Sequence, residues 1–383
     1  MSDVDEPLDI EEQYLSTGQR KLGRKERHLF RTKDRSKFRK SDEDQRAKRG
    51  SASSHSSEKC VRGRVLAIHA DLISVDAGEG MPPFSCTLKG TLKVEQTKMR
   101  TLVAVGDRVR FERGEGGSGQ IIHIEPRHSY LARSDPFSGR KRQLIAVNID
   151  RVFIVLSLFA PPFKPLLIDR YIIAAKRGNM EPLIVINKID LLDSPPPDYT
   201  PSEADKEREL LVAFEEGYRN VGVPVIRVSA DTRRGIGTLR KMMAGKASVF
   251  SGESGVGKSS LIGIVTGRSL RVARVLSKTR RGAHTTNRAT LIPLERGRGE
   301  ERGFCIDTPG IRSFGIHDID PKEVARYFPD FAPYEGGCGF PDCTHLHEPG
   351  CAVKRGVEEG CIHPLRYRSY CALMEERRVK DWE

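Results

Sequence analysis

The chain has 383 residues, a length that suits two or three domains, and 65 basic against 52 acidic residues give it a formal net charge of +13. No apolar run approaches the ~20 residues needed to span a bilayer, which excludes a helical membrane protein and leaves nucleic acid as the expected anionic partner. The first residues are acidic and polar with no apolar signal-peptide core, so a cytoplasmic protein without membrane contacts is expected.

Residues 1–57 read as a disordered basic extension. Between Arg20 and Lys40 eleven Lys/Arg face two acids, and residues 51–57 are Ser-rich. Such a segment buries too little apolar surface to offset its chain entropy. It is either a solvated tail or an arm that meets phosphates.

Residues 58–130 carry five short β-rich runs, at 61–68, 72–75, 84–88, 108–111 and 120–124, parted by Gly, Pro and Asp turns. Five short strands suit a β-barrel of the OB-fold type, which commonly binds oligonucleotides, although pattern alone leaves other small barrels open. The Gly-rich stretch 114–119 reads as a hairpin rather than a phosphate cradle, because no helix follows it.

Over residues 140–320 the pattern changes to an α/β domain. Apolar runs at 152–158, 183–186, 225–228, 247–250 and 304–306 read as buried parallel strands, with helices expected at 166–176 and 204–218. Ligands of such sheets bind at the carboxyl ends of the strands, and each nucleotide motif lies there. Asn187-Lys188-Ile189-Asp190 (NKID) comes first, followed by the supporting pair Ser229-Ala230. The phosphate loop comes next, as Gly252, Glu253, Ser254, Gly255, Val256, Gly257, Lys258, Ser259 and Ser260. Thr285 and Thr286 follow, then Asp307-Thr308-Pro309-Gly310. An ordinary Ras-like domain places NKxD last, so this order is a rotation of the usual one, as in a circularly permuted P-loop GTPase domain. Rotation is physically cheap because domain termini often lie close together.

The residue types fit GTP. Glycines let loop N–H groups point at phosphates, Lys258 brings charge to the β/γ oxygens, and the Ser259 hydroxyl suits magnesium. The Asp190 carboxylate suits guanine N1–H and its exocyclic amine, which adenine lacks, and an N–H of the Ser229-Ala230 pair suits guanine O6. Asp307 suits magnesium held through water, and the Gly310 N–H suits the γ-phosphate. The position that carries a water-orienting glutamine in Ras-like enzymes is Ile311 here. His284, beside the switch threonines, is the local candidate for that task, and it can equally be a surface histidine of a basic loop.

Residues 321–383 have few apolar residues and need a staple. Five of the eight cysteines crowd this end. Cys338-x4-Cys343-x-His345-x5-Cys351 offers three thiolates and an imidazole, the donor set of a closed structural zinc site, with His347, Cys361 and His363 as possible substitutes. Residues 363–382 read as an amphipathic basic helix, with Arg366, Arg368, Arg377, Arg378 and Lys380 available to RNA phosphates or to packing on the zinc module.

An OB-like barrel, a permuted GTPase domain and a zinc module, in that order, resemble the RsgA (YjeQ) family of bacterial ribosome-assembly GTPases. The resemblance covers about residues 58–375 and rests on NKID, GESGVGKSS, the GxHTT segment, DTPGIRSFG and CTHxHEPGCAV. It implies GTP hydrolysis stimulated by the small (30S) ribosomal subunit, binding to that subunit and its rRNA, and a role in late maturation. It implies one zinc on Cys338, Cys343, His345 and Cys351, magnesium with GTP on Ser259 and Thr286, and a catalytic role for His284. The protein is expected to be a monomer that exchanges GTP and GDP. Two departures stand out. Asn287 stands where a third threonine is usual, and the long basic extension is not a shared feature. The alternatives are a nucleotide-switched RNA-binding factor with little turnover, and an ATP-using phosphate-loop kinase, against which Asp190 argues.

Overall fold

The computed structural model describes residues 60–69, 72–78, 80–90, 92, 102–134, 142–159, 161–268, 289–295, 301–307 and 321–380. The basic extension, His284, Thr285, Thr286 and Gly310 lie outside them.

Five strands, β1 (Cys60–His69), β2 (Leu72–Asp76), β3 (Phe84–Leu88), β4 (Arg108–Arg113) and β5 (Ser118–Ile124), close into a barrel in the order β1-β2-β3-β5-β4. Alternation drives closure. Val65, Val75, Cys86, Val109, Phe111 and Ile121 point inward, while Arg62, Arg108, Arg110 and His123 point out. The Gly-rich stretch is the β4–β5 hairpin connection, as expected.

A hairpin absent from the sequence expectation follows, β6 (Tyr130–Ser134) and β7 (Arg142–Val147). A bulge between Leu131 and Ala132 breaks the period-two pattern, which is why the run does not read as a strand.

Six strands then form one sheet in the order β10-β9-β8-β11-β13-β12, comprising β8 (Arg151–Ser157), β9 (Glu181–Asn187), β10 (Val225–Arg227), β11 (Ala247–Ser251), β12 (Thr290–Pro293) and β13 (Phe304–Asp307). All pairs are parallel except β12 with β13. The apolar runs of β8 and β9 are buried on both faces. Ile154 and Leu156 share a core with α1 (Ile168–Arg177) and α2 (Pro201–Arg219). Phe153 and Val155 share another with α3 (Ile236–Met243) and α4 (Lys258–Thr266). The result is a three-layer α/β domain. α2 starts with a capping box, in which the Glu203 N–H donates to Thr200 Oγ1 at 3.3 Å and the Thr200 N–H to Glu203 Oε2 at 2.9 Å. α1 starts two residues later than expected, because Pro165 opens a 3-10 turn first. Strand β12 and helix α3 were not anticipated.

The C-terminal module comprises α5 (Pro321–Val324), two 3-10 turns, α6 (Ala352–Glu358) and α7 (Pro364–Lys380) around Phe328, Phe331, Val353, Ile362, Tyr370 and Leu373. One basic residue of α7 takes the packing alternative, against the GTPase domain as well as its own module. Arg366 is 1 % exposed and faces the GTPase domain rather than solvent. Its guanidinium forms an ion pair with Asp169 of α1, meets Asp330 at 3.0 Å, and lies over the rings of Tyr218 and Phe328 at 5.0 and 4.5 Å. A buried arginine needs such partners because desolvation otherwise disfavours its charge. No described helix is long and apolar enough to cross a membrane.

Candidate functional site

The phosphate loop runs from the end of β11 into α4. Gly252 has φ +138°, and a Cβ there would lie 2.2 Å from the Val155 carbonyl oxygen, so only glycine fits. Gly257 caps α4 at φ +95°. The helix N-terminus thus presents its unpaired N–H groups to the loop's hollow, where anions are favoured. Lys258 Nζ donates to the Gly252 carbonyl at 2.8 Å and to the Glu253 carbonyl, poised across the loop. Ser254, Gly255, Ser259 and Ser260 are exposed, whereas Val256 is buried and anchors the loop from beneath. Lys164, which sequence reasoning missed, holds the loop from the β8 side through Glu253 at 3.4 Å.

β9 delivers the segment Asn187–Asp190. Asn187 is 1 % exposed and ties three segments together. Its amide donates to the Val256 carbonyl at 2.9 Å, and its Oδ1 accepts the Ala230 N–H at 3.1 Å. Lys188 then turns left-handed at φ 64°, and Ile189 buries to seat the turn Ile189–Leu192. This leaves Asp190 Oδ1 buried with no hydrogen-bond partner among the described residues. A carboxylate oxygen in that state needs a donor, and a purine bearing N1–H and an amine supplies one. Ser229 is fully buried and accepts the Thr232 N–H at 3.0 Å, which shapes the loop after β10. One detail differs from expectation. Because the Ala230 N–H already donates to Asn187, it reaches a guanine oxygen only as a shared donor.

Asp307 ends β13, opposite Thr290 of β12 and one strand from the phosphate loop. Burial raises its carboxyl above the usual range, a cost that a bound cation would offset.

In the C-terminal module Cys338, Cys343, His345 and Cys351 converge, with their ligand atoms all within 4.8 Å of one another. His345 Nδ1 lies 3.6 Å from Cys338 Sγ and 3.4 Å from Cys351 Sγ, and those sulfurs are 4.0 Å apart. Zinc–sulfur bonds of about 2.3 Å in a tetrahedron give edges of roughly 3.5–3.8 Å, so the donor set and its spacing fit zinc. His347, Cys361 and His363 do not join the cluster. His345 reaches inward because its backbone is left-handed, φ 61°. The Tyr367 hydroxyl donates to the His345 carbonyl at 2.7 Å and fixes that backbone. Glu348, also missed from sequence, accepts the N–H groups of Thr344, Leu346 and His347 at 3.0 to 3.2 Å. Burial opposes its ionisation, but the Thr344 hydroxyl and the N–H groups of Glu348 itself, Thr344 and Leu346 outweigh burial and bring it down to about 2.

Comparison with known proteins adds three findings. A family model described as RsgA GTPase matches residues 124–317. The chain is 39 % identical over 325 residues to the small ribosomal subunit biogenesis GTPase RsgA of Chlorobaculum parvum, covering 82 % of this chain and 97 % of that one. It is 34 % identical to the protein of the same name from Thermotoga petrophila, covering 82 % and 96 %. Among solved structures it resembles YjeQ from Thermotoga maritima at TM-score 0.64 and 31 % identity, over 83 % of this chain and 98 % of that one. It also resembles YloQ, described as a circularly permuted GTPase, at TM-score 0.62 and 26 % identity, over 87 % and 99 %.

Proposed function

The chain belongs to the RsgA family of circularly permuted GTPases and hydrolyses GTP, and from that premise we propose that it binds the small ribosomal subunit and its rRNA, assists late maturation of that subunit, and turns GTP over faster when bound to it. The observation that carries the guanine part is the unpartnered Asp190 Oδ1 beside the Asn187 clamp. In this reading Asp190 accepts from guanine N1–H and the exocyclic amine. The α4 N-terminus and the loop N–H groups cradle the phosphates, and Lys258 exchanges its two carbonyl partners for β/γ oxygens. The magnesium that accompanies GTP would be held by Ser259, Thr286 and, through water, Asp307, and it supplies neutralisation of phosphate charge. His284 orients the attacking water in place of the glutamine that Ile311 displaces. The zinc on Cys338, Cys343, His345 and Cys351 is structural, since four protein donors leave no open position.

The barrel supports the RNA part. Cross-strand register sets Arg62 opposite Arg110, and Arg110 opposite His123, on the outer face of β1, β4 and β5. Like charges directly opposite each other are destabilising, and among the described residues Glu125, at 3.7 Å from both arginines, offsets them. Such a stripe suits a phosphate backbone.

The test is GTP hydrolysis by the purified chain, alone and with isolated small subunits, with Lys258→Ala as the control. Slow turnover that rises strongly with subunits supports the proposal. GTP bound tightly with no stimulation would replace it with a passive nucleotide switch or another RNA partner.

A further inference from the structure

β12 and β13 form a hairpin of four pairs, Thr290 with Asp307 through Pro293 with Phe304. In sequence β12 begins four residues after Thr286, and β13 ends on the first residue of the Asp307–Gly310 motif. One hairpin is therefore continuous in sequence, at a single end, with both segments proposed to respond to nucleotide. The barrel holds its other end. Asp76, the last residue of β2 and 5 % exposed, faces Arg302 Nη1 at 3.2 and 3.3 Å through its two oxygens. Arg64 of β1 lies 4.8 Å over the Phe304 ring. The same guanidinium donates to the Asn148 carbonyl, and burial lowers it to about 10, still charged at neutral pH. The described ends of the connection are bonded to each other and to the GTPase domain. The Leu294 N–H donates to Gly303 at 2.9 Å, the Phe304 N–H donates to Lys246 at 2.9 Å, and a Cβ on Gly303 would lie 2.2 Å from the Met243 carbonyl. A shift of the barrel thus has no slack at Arg302 and Phe304. Three residue steps along the strand, about 10 Å, lead from Phe304 to Asp307.

We propose that Asp76–Arg302 and Arg64–Phe304 form a latch through which the barrel positions the β12–β13 hairpin, so that RNA on the barrel sets the rate of GTP hydrolysis. Arg64 and Arg302 are positioning residues and touch no nucleotide. Coupling of this kind is reciprocal, so nucleotide state must alter the barrel side of the latch as well. The inference rests on the proposed subunit-stimulated reading for its rate effect, but not for this reverse effect.

The experiment has two arms, both on the full chain. In the first, single-turnover GTP hydrolysis is measured with and without saturating small subunits for the wild type, Arg302→Gln, Arg302→Lys and Asp76→Asn. We expect Arg302→Gln and Asp76→Asn to lower the stimulated rate about tenfold, within the usual range of coupling, while GTP affinity stays within about twofold. Arg302→Lys restores most of the stimulation, which a merely misfolded junction would not. In the second, hydrogen exchange of residues 60–76 is compared between a GTP analogue and GDP without ribosomes. We expect a difference in the wild type that Arg302→Gln abolishes. Full stimulation in Arg302→Gln, or exchange in residues 60–76 that ignores nucleotide state in the wild type, overturns the latch. A wild type that shows the exchange difference but no stimulation overturns the subunit reading and leaves the latch standing.

Discussion

A Cβ on Gly257 would lie 2.2 Å from the side-chain nitrogen of Asn187, so the phosphate loop and the end of β9 touch with no room between them. Asn187 uses this closeness to bond Val256, 69 residues away in sequence. Replacing Asn187 by Ala leaves the buried Val256 carbonyl and the Ala230 N–H unpaired, at roughly 2–4 kcal/mol. We expect Asn187→Ala to lower both the unfolding midpoint in urea and GTP affinity, because one side chain ties together the two segments proposed to hold the nucleotide. Unchanged GTP affinity would show that the two ends are positioned independently.

Asp190→Asn turns a two-site acceptor into a side chain that also donates. Binding of GTP is then expected to weaken on the order of 10²-fold, while xanthosine triphosphate, which offers a carbonyl where guanine has an amine, gains. Competition titration with the two nucleotides decides it. An unaltered preference would remove Asp190 from the base-reading role.

Metal analysis of the purified chain should return one zinc, lost in Cys351→Ser and retained in His347→Ala. Chelation is expected to loosen the packing of Phe331 and Tyr370, since the Tyr370 hydroxyl donates to the Thr344 carbonyl at 2.8 Å inside the metal loop. Near-ultraviolet circular dichroism reads this change. Zinc lost from His347→Ala would move the ligand role away from His345.

Asp169 pairs with Arg366 and also accepts the Tyr218 hydroxyl at 2.7 Å. Removing one partner of a buried pair costs about 3–5 kcal/mol, so Asp169→Ala is expected to free the C-terminal module from α1 and α2. Limited proteolysis should then cut between the GTPase domain and α7 faster than in the wild type. Arg368, exposed on the same helix, is the comparison: its replacement by Ala should leave cleavage unchanged.

If the barrel's outer face meets RNA phosphates, Arg62→Ala and Arg110→Ala should each reduce the slope of log affinity against log salt by about one, without regard to RNA sequence. Binding titrations over a range of salt measure it, and an unchanged slope would place the RNA elsewhere.

Much of this molecule was legible because its chemistry is local in the chain. The five barrel strands and most strands of the sheet follow from runs of β-rich residues between turns. The phosphate loop, with its glycines at 252 and 257, is specified within nine residues. The β6–β7 hairpin was not legible, because the bulge at Leu131/Ala132 removes the alternation that marks a strand. Whether Arg366 packs or meets RNA was left open, because a helix periodicity says which residues share a face and not what that face meets.

Read alone, the chain specifies the rotated motif order and the groups suited to guanine, phosphate and zinc. Those depend on residue type and short spacing, which the chain states directly. Residue chemistry left His345 and His347 both open and the family resemblance chose His345; the folded chain brings His345 into the Cys/His cluster, commits the Asn187 side chain to Val256 and Ala230, and sets Asp76 of the barrel against Arg302 of the hairpin. Each is set by a backbone path, a left-handed turn at His345 or a strand order in the sheet, that brings together atoms far apart in the chain. Spacing in sequence carries no information about such meetings, because burial and hydrogen bonding act on distance in space.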